Sequence, residues 1–194
     1  TFNLVTGVLP ATRGEVRLRG ERIDALRSRE IAHRGVSRTF QAVRLFRDLS
    51  ALDNVAAAAA VLGETAAVAA ELLALLGLFD FRDKAAGSLS YAHQRRLAIA
   101  RALALKPTFL LLDEPAAGMN PAEVEDIDRT LVSLRDRTGM GLLLVEHNMA
   151  LVMGVCERLV VLDGGRVIAR GTPDAVRSDP AFRQAYLGEA GLSA

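Results

Sequence analysis

The stretch Phe109-Leu110-Leu111-Leu112-Asp113-Glu114-Pro115 decides how this chain is read. Four large hydrophobes in a row make a short buried strand, and two acids close it. Acids in that position lie at the carboxyl edge of a sheet, where open α/β folds bind their ligands. Asp113 is then suited to hold Mg²⁺, usually through water. Glu114 is suited to orient or deprotonate an attacking water. Taken alone, the same pair reads equally well as the mere start of a loop.

The pattern repeats downstream. Gly141 to Val145 is a second continuous apolar run, and a helical stretch from about Ala122 to Arg137 lies between the two. Strand, helix and strand of these lengths form a right-handed crossover, and both strands read as covered on both faces of a parallel sheet. The second run ends in Glu146-His147, which carries His147 to the edge that holds Asp113 and Glu114. A histidine there can contact a terminal phosphate. Further on, Leu159 to Leu162 and Val167 to Ala169 flank Asp163-Gly164-Gly165, a hairpin with glycine in its turn. Pro173 and Pro180 open two short terminal helices.

Upstream, Thr1 to Gly7 reads as the end of a helix, Glu15 to Arg19 as a strand with Gly20-Glu21 as the turn after it, and Ala25 to His33 as a polar helix. Gly35 to Phe40 reads as a strand leading to Gln41. From Leu49 the spacing turns helical, with Ser50 or Asp53 capping one helix and Glu64 or Thr65 starting another, which runs to Leu78. A third helix follows Ser90 and ends near Leu105. The fold class is thus α/β, a mostly parallel sheet interrupted by a helical insert near residues 43–95.

Composition narrows the function. Hydrophobic residues make up 51% of the 194 and charged residues 24%, enough for one cored domain. With 24 basic and 23 acidic residues and 5% aromatics, the chain lacks the basic excess and stacking surfaces of a nucleic-acid binder, so no nucleic-acid partner is expected. The single cysteine, Cys156, gives no internal disulfide and reads as a small buried hydrophobe. The Ala- and Leu-rich stretch from Val55 to Phe79 is broken by Glu64 and Glu71, short of the ~20 apolar residues of a spanning helix. Work at a membrane would require a docking partner.

Two further features matter in company. Ser90 opens a helix whose first N–H groups and positive dipole end suit a phosphate, although any Ser-led helix shares this. Gln41 sits where body and insert meet. In order, Gln41, Leu89-Ser90-Tyr91-Ala92-His93-Gln94-Arg95, Leu110 to Pro115 and Glu146-His147 resemble the Q-loop, signature, Walker B and H-loop of the ABC ATPases, over essentially the whole chain. Within that family, Arg38-Thr39-Phe40-Gln41, Arg44-Leu45-Phe46, Leu89-Ser90-Tyr91 and Glu114 to Pro121 are similar to the ATP-binding subunits of branched-chain amino-acid uptake systems.

The resemblance implies a P-loop NTPase (RecA-like) core at residues 1–42 and 96–194 and a helical sub-domain at 43–95 that ends in the signature motif. It implies ATP and Mg²⁺ as cofactors. Catalysis would fall to Glu114 and His147, nucleotide contacts to Gln41, Ser90, Ala92, His93, Asp113 and His147, and the metal to Asp113 and Gln41. It implies a second ATP-binding subunit placed head to tail, permease subunits reached through residues 41–50 and the helical sub-domain, a periplasmic binding protein served indirectly, and a peripheral place on the cytoplasmic face of the inner membrane. Ala92 replaces the family's usual glycine, so its methyl is expected to crowd a phosphate. Asn120 stands where many relatives carry Asp. The family's phosphate loop, G-x-x-x-x-G-K-S/T, occurs nowhere in the 194 residues. The sequence is therefore expected to be truncated ahead of Thr1, and the chain as it stands to bind ATP poorly and not to turn it over. A non-catalytic interaction module and the ATPase of a lipid or lipopolysaccharide exporter are the alternatives.

Overall fold

The computed structural model describes residues 1–187. The chain packs as two compact units, Thr1–Leu151 and Val152 onward. In the first unit a short helix α1 (Phe2–Val5) is followed by a two-stranded hairpin, β1 (Arg17–Leu18) with β2 (Glu21–Arg22), and by helix α2 (Ser28–His33). The turn falls on Arg19-Gly20, and Glu21 already pairs with Leu18. Helix α2 starts later than its polar run implies. Glu30 fixes that start by accepting the Arg27 amide at 2.9 Å.

Three parallel strands form the main sheet, in the order β3 (Val36–Arg38), β4 (Phe109–Asp113), β5 (Gly141–Val145). Helix α6 (Pro121–Thr138) makes the crossover from β4 to β5. Its start is fixed by Asn120, which accepts the Glu123 amide while Glu123 accepts the Asn120 amide, with Pro121 at the first helical position. Val124, Ile127, Leu131 and Leu134 bury one stripe of it. A small core of Phe2, Ile23, Ile31, Val36 and Leu111 packs β3 and β4 against α1, α2 and the hairpin.

Strand β4 is buried along Leu110–Leu112, as its apolar run implies. Strand β5 departs from the expectation. It pairs only with β4 among the described residues, and Leu143 and Val145 are 47% and 45% exposed. A continuous apolar run reports hydrophobic demand on both faces, and it does not report which edges are filled.

Helices α3 (Ala51–Ala59), α4 (Ala66–Leu75) and α5 (Tyr91–Leu103) pack on one another, with Val55, Ala59, Ala69, Leu73 and Leu97 excluded from water. Ser50 is the cap of α3, accepting the Asp53 amide, while Thr65 precedes α4 without a side-chain bond. The segment around Arg47–Leu52 runs antiparallel to Arg82–Gly87, with bonds such as Ala51 N–H to Lys84 O and Ala86 N–H to Leu49 O, both 2.9 Å. Asn54 ties this junction together from inside. Wholly buried, it accepts the Phe46 amide and donates to the carbonyls of Phe46, Leu49 and Ser50.

The second unit is built on a hairpin, β6 (Leu159–Asp163) with β7 (Arg166–Gly171), followed by α8 (Pro173–Ser178) and α9 (Pro180–Leu187). Gly164 and Gly165 both have positive φ, as the two-residue turn between paired Asp163 and Arg166 requires. Helix α7 (Met149–Val155) runs through the boundary between the units.

Replacing Asn54 by Ala leaves the Phe46 amide without its partner and removes the side-chain bonds to the carbonyls of Phe46, Leu49 and Ser50, which keep their backbone partners. The expected cost is about 2–4 kcal/mol, read as a lowered urea midpoint. A loss below about 0.5 kcal/mol would contradict the clamp described here.

Candidate functional site

Parallel strands present their carboxyl ends at one edge, so β3, β4 and β5 deliver their last residues to the same place. The register sets Arg38 opposite Leu111 and Asp113 opposite Val145. Past those ends lie Thr39 to Gln41, Glu114, and Glu146 with His147.

Two of the sequence-predicted residues meet directly. The Gln41 amide nitrogen donates to a Glu114 carboxylate oxygen at 2.9 Å across a separation of 73 residues. Glu114 has φ of +47°, a left-handed backbone that costs a residue with a Cβ about 1 kcal/mol or more. Its own amide offsets this by donating to Val145 O at 2.8 Å, which turns the side chain out of the strand line toward Gln41. Asp113, one residue earlier, donates its amide to Thr39 Oγ1 at 3.1 Å, and its carboxylate meets the Arg38 guanidinium at 3.2 Å.

His147 reaches the same edge with a mostly exposed ring. The residue before it is held differently. The Glu146 side chain is completely buried and accepts three amides, those of Ala116, His147 and Asn148, at 2.8, 2.9 and 3.0 Å. It therefore ties the loop after β4 to the loop after β5.

Ser90 caps α5, its hydroxyl oxygen taking the His93 amide at 3.2 Å. Ala92, in the first turn of the same helix, is buried. The His93 ring packs on Phe81 at 4.3 Å between centroids, and burial, with the nearby Arg96 charge, lowers its pKa. What this helix end offers is Ser90 and backbone, with the His93 side chain already engaged. Its side reaches the acidic loop. Arg95, almost fully buried, bonds the Tyr91 hydroxyl at 2.6 Å and contacts Asp113 O at 3.4 Å. The Tyr91 ring lies against Gly118, where φ is +74° and an added Cβ would stand 2.8 Å from the ring.

The donor set fits a hard cation. With the Gln41 nitrogen on Glu114, the atom left to face a metal is its amide oxygen, and Asp113 is the residue before Glu114 in the chain. Among the described residues no group of three or more His, Cys, Asp or Glu is placed to cage a metal. One carboxylate and one amide oxygen suit Mg²⁺, which keeps water and takes phosphate oxygens rather than a protein cage.

Sequence reasoning missed Arg38, Arg95 and the bracing role of Glu146. Arg38 carried a sign in being a cation within the otherwise buried stretch Val36 to Thr39. Glu146 gave none, since a carboxylate beside a histidine does not announce three loop amides. Substituting Glu146 with Ala is expected to cost about 3 kcal/mol, a fall in melting temperature of roughly 6–12 °C. An unchanged melting temperature would contradict the brace.

Comparison with known proteins bears on the family. The profile of the ABC transporter family matches residues 1–117. That of the branched-chain amino acid ATP-binding cassette transporter family matches residues 166–191. The chain is 41% identical to the high-affinity branched-chain amino acid transport ATP-binding protein BraF of Pseudomonas aeruginosa, over 97% of this chain and 82% of the relative. It is 40% identical to the lipopolysaccharide export system ATP-binding protein LptB of Acidithiobacillus ferridurans, over 97% of this chain and 80% of that one. Among solved structures, the ADP conformation of MJ1267, an ATP-binding cassette of an ABC transporter, superposes with a TM-score of 0.84 at 29% identity, over 97% of this chain and 82% of that one. The dimeric post-hydrolysis state of the cassette MJ0796, bound to ADP and Pi, gives 0.80 at 26% identity, over 88% and 78%. The P-loop NTPase fold and the acidic strand end thus come together in one assignment: this chain belongs to the ATP-binding subunits of the ABC transporter family.

Proposed function

We propose that this chain is the nucleotide-hydrolysing subunit of an importer for branched-chain or other hydrophobic amino acids. The observation that carries this reading is the Gln41–Glu114 hydrogen bond beside Asp113 at the end of β4. It joins a residue at the start of the insert to the acid suited to activate water. In this reading Asp113 and the Gln41 oxygen hold Mg²⁺, which offsets phosphate charge when bound. Glu114 orients and deprotonates the attacking water, and His147 donates to the terminal phosphate. The N-terminus of α5, at Ser90, serves the nucleotide of a second subunit, so the working unit is a head-to-tail pair. A solved cassette that is dimeric with ADP and Pi bound supports pairing of two such subunits. Phosphoryl transfer depends mostly on positioning and charge, which this edge provides.

We read residues 43–95 as the helical sub-domain and residues 41–50 as the contact with permease subunits. Support comes from Phe46 and Leu49, large apolar side chains left exposed on a turn that Asn54 holds rigid, with the Arg101 guanidinium 5.0 Å from the Phe46 ring centroid. Among the described residues no helix is long and apolar enough to cross a membrane. The place proposed is therefore peripheral, on the cytoplasmic face of the inner membrane, with a periplasmic binding protein engaged only through the permease. Export of lipopolysaccharide is the second reading, favoured by the LptB relative. The match of residues 166–191 to the branched-chain profile favours import.

The 194 residues hold no G-x-x-x-x-G-K-S/T, and we propose that the chain as it stands binds Mg-ATP weakly and does not hydrolyse it. Calorimetric titration with Mg-ATP of this chain, beside a version preceded by a relative's phosphate-loop segment, tests this. The extended version is expected to bind at least roughly a hundredfold more tightly. Equal, tight binding by both would mean that the nucleotide site is built from other residues.

A further inference from the structure

Arg38 is the part of the acidic edge that the proposed reaction does not use. Its guanidinium is nearly buried, and every nitrogen has a partner: Nη2 on Asp113 Oδ2 at 3.2 Å, Nη1 on Asn3 Oδ1 at 2.8 Å and Thr6 Oγ1 at 3.0 Å, Nε on Thr39 O at 3.2 Å. The aromatic rings of Phe40 and Phe2 stand 4.4 and 5.7 Å from it. Apart from Asp113 these anchors are neutral, and they come from two segments, α1 and the end of β3. The fork of donors is held without help from Asp113, so the charge cannot swing away when the carboxylate takes another partner.

The consequence is electrostatic. Asp113 is already paired with a fixed cation, and Arg44, 4.4 Å from the Phe40 ring centroid, is a second positive charge close enough to act on Arg38. Glu114 supplies negative charge, but its carboxylate is bonded to Gln41. A bare divalent ion arriving at Asp113 meets a like charge in a poorly solvated corner, where such repulsion is weakly screened. An ion that arrives with a phosphate chain brings negative charge that Arg38 attracts. We propose that Arg38 makes the cation site at Asp113 dependent on phosphate, so that the free ion binds feebly and the ion–polyphosphate complex is the form admitted. The inference rests on the reading of Asp113 as the metal-holding acid, and Arg38 acts in it as a positioning residue.

Mn²⁺ alone is the probe, with the free ion measured by electron paramagnetic resonance in the presence of the 194-residue chain. Arg38→Gln is expected to tighten Mn²⁺ binding by roughly tenfold or more, and Arg38→Lys, which keeps the charge, to stay within about threefold of the parent. Asn3→Asp gives Arg38 a carboxylate of its own at an exposed position, so it tests the idea without disturbing buried packing. It too is expected to tighten Mn²⁺. Asp113→Asn should remove the gained binding in either background. If Asp113→Asn abolishes binding but Arg38→Gln and Asn3→Asp stay within about twofold of the parent, the role of Arg38 is wrong and the metal reading stands. If the tightened binding survives Asp113→Asn, the ion sits elsewhere and both fail.

Discussion

Ser37 lies opposite Leu110, and Leu110 lies opposite Leu142, in three parallel strands that run in one direction and stop at one edge. Leu110, Leu111 and Leu112 are all buried, so β4 is covered on both faces, and its pairing with β3 and β5 sets the register. The register in turn fixes which residues lie past the strand ends. Gln41, Asp113, Glu114 and His147 reach the same edge because β4 is central and its two neighbours are parallel to it. The chemistry is a consequence of that pairing, and the loops only refine it.

The refinement is made with hydrogen bonds and one strained residue. Left-handed backbone at Glu114 is held by the Val145 carbonyl and directs the side chain to Gln41. Buried Glu146 gathers three amides and binds the loop after β4 to the loop after β5. Arg95 extends from α5 to the Asp113 carbonyl, and Tyr91 packs on the positive-φ Gly118. A displacement of α5 is therefore felt in the backbone that carries both acids, through contacts within one chain. This gives a physical route between the helices of residues 43–95 and the proposed reaction, alongside the Gln41 contact.

Much of the fold was legible because it is written in periodicity and caps. The run Phe109 to Leu112, the helix from Pro121 and the glycine pair at 164–165 each have one cheap local solution. The helix after Ser90 was legible from its cap. Less legible were features decided by distant partners. Nothing near Leu143 in the sequence states that β5, among the described residues, pairs on one side only. Gln41, Asp113, Glu114 and His147 stand out as candidates only through their order and resemblance, since each is ambiguous alone. Arg38, Glu146 and Asn54 were passed over because their partners lie as far as 75 residues away or are backbone groups that carry no sequence signature.

The central claim is that Glu114, placed by β4 and held by Gln41, activates the attacking water. The direct measurement is steady-state ATP hydrolysis and Mg-ATP binding by the phosphate-loop-extended chain with and without Glu114→Gln. A carboxamide keeps the size and the contact with Gln41 but cannot take the proton. The account expects binding within about threefold of the parent and turnover reduced by roughly a hundredfold or more. Hydrolysis that keeps most of its rate after this substitution would contradict it.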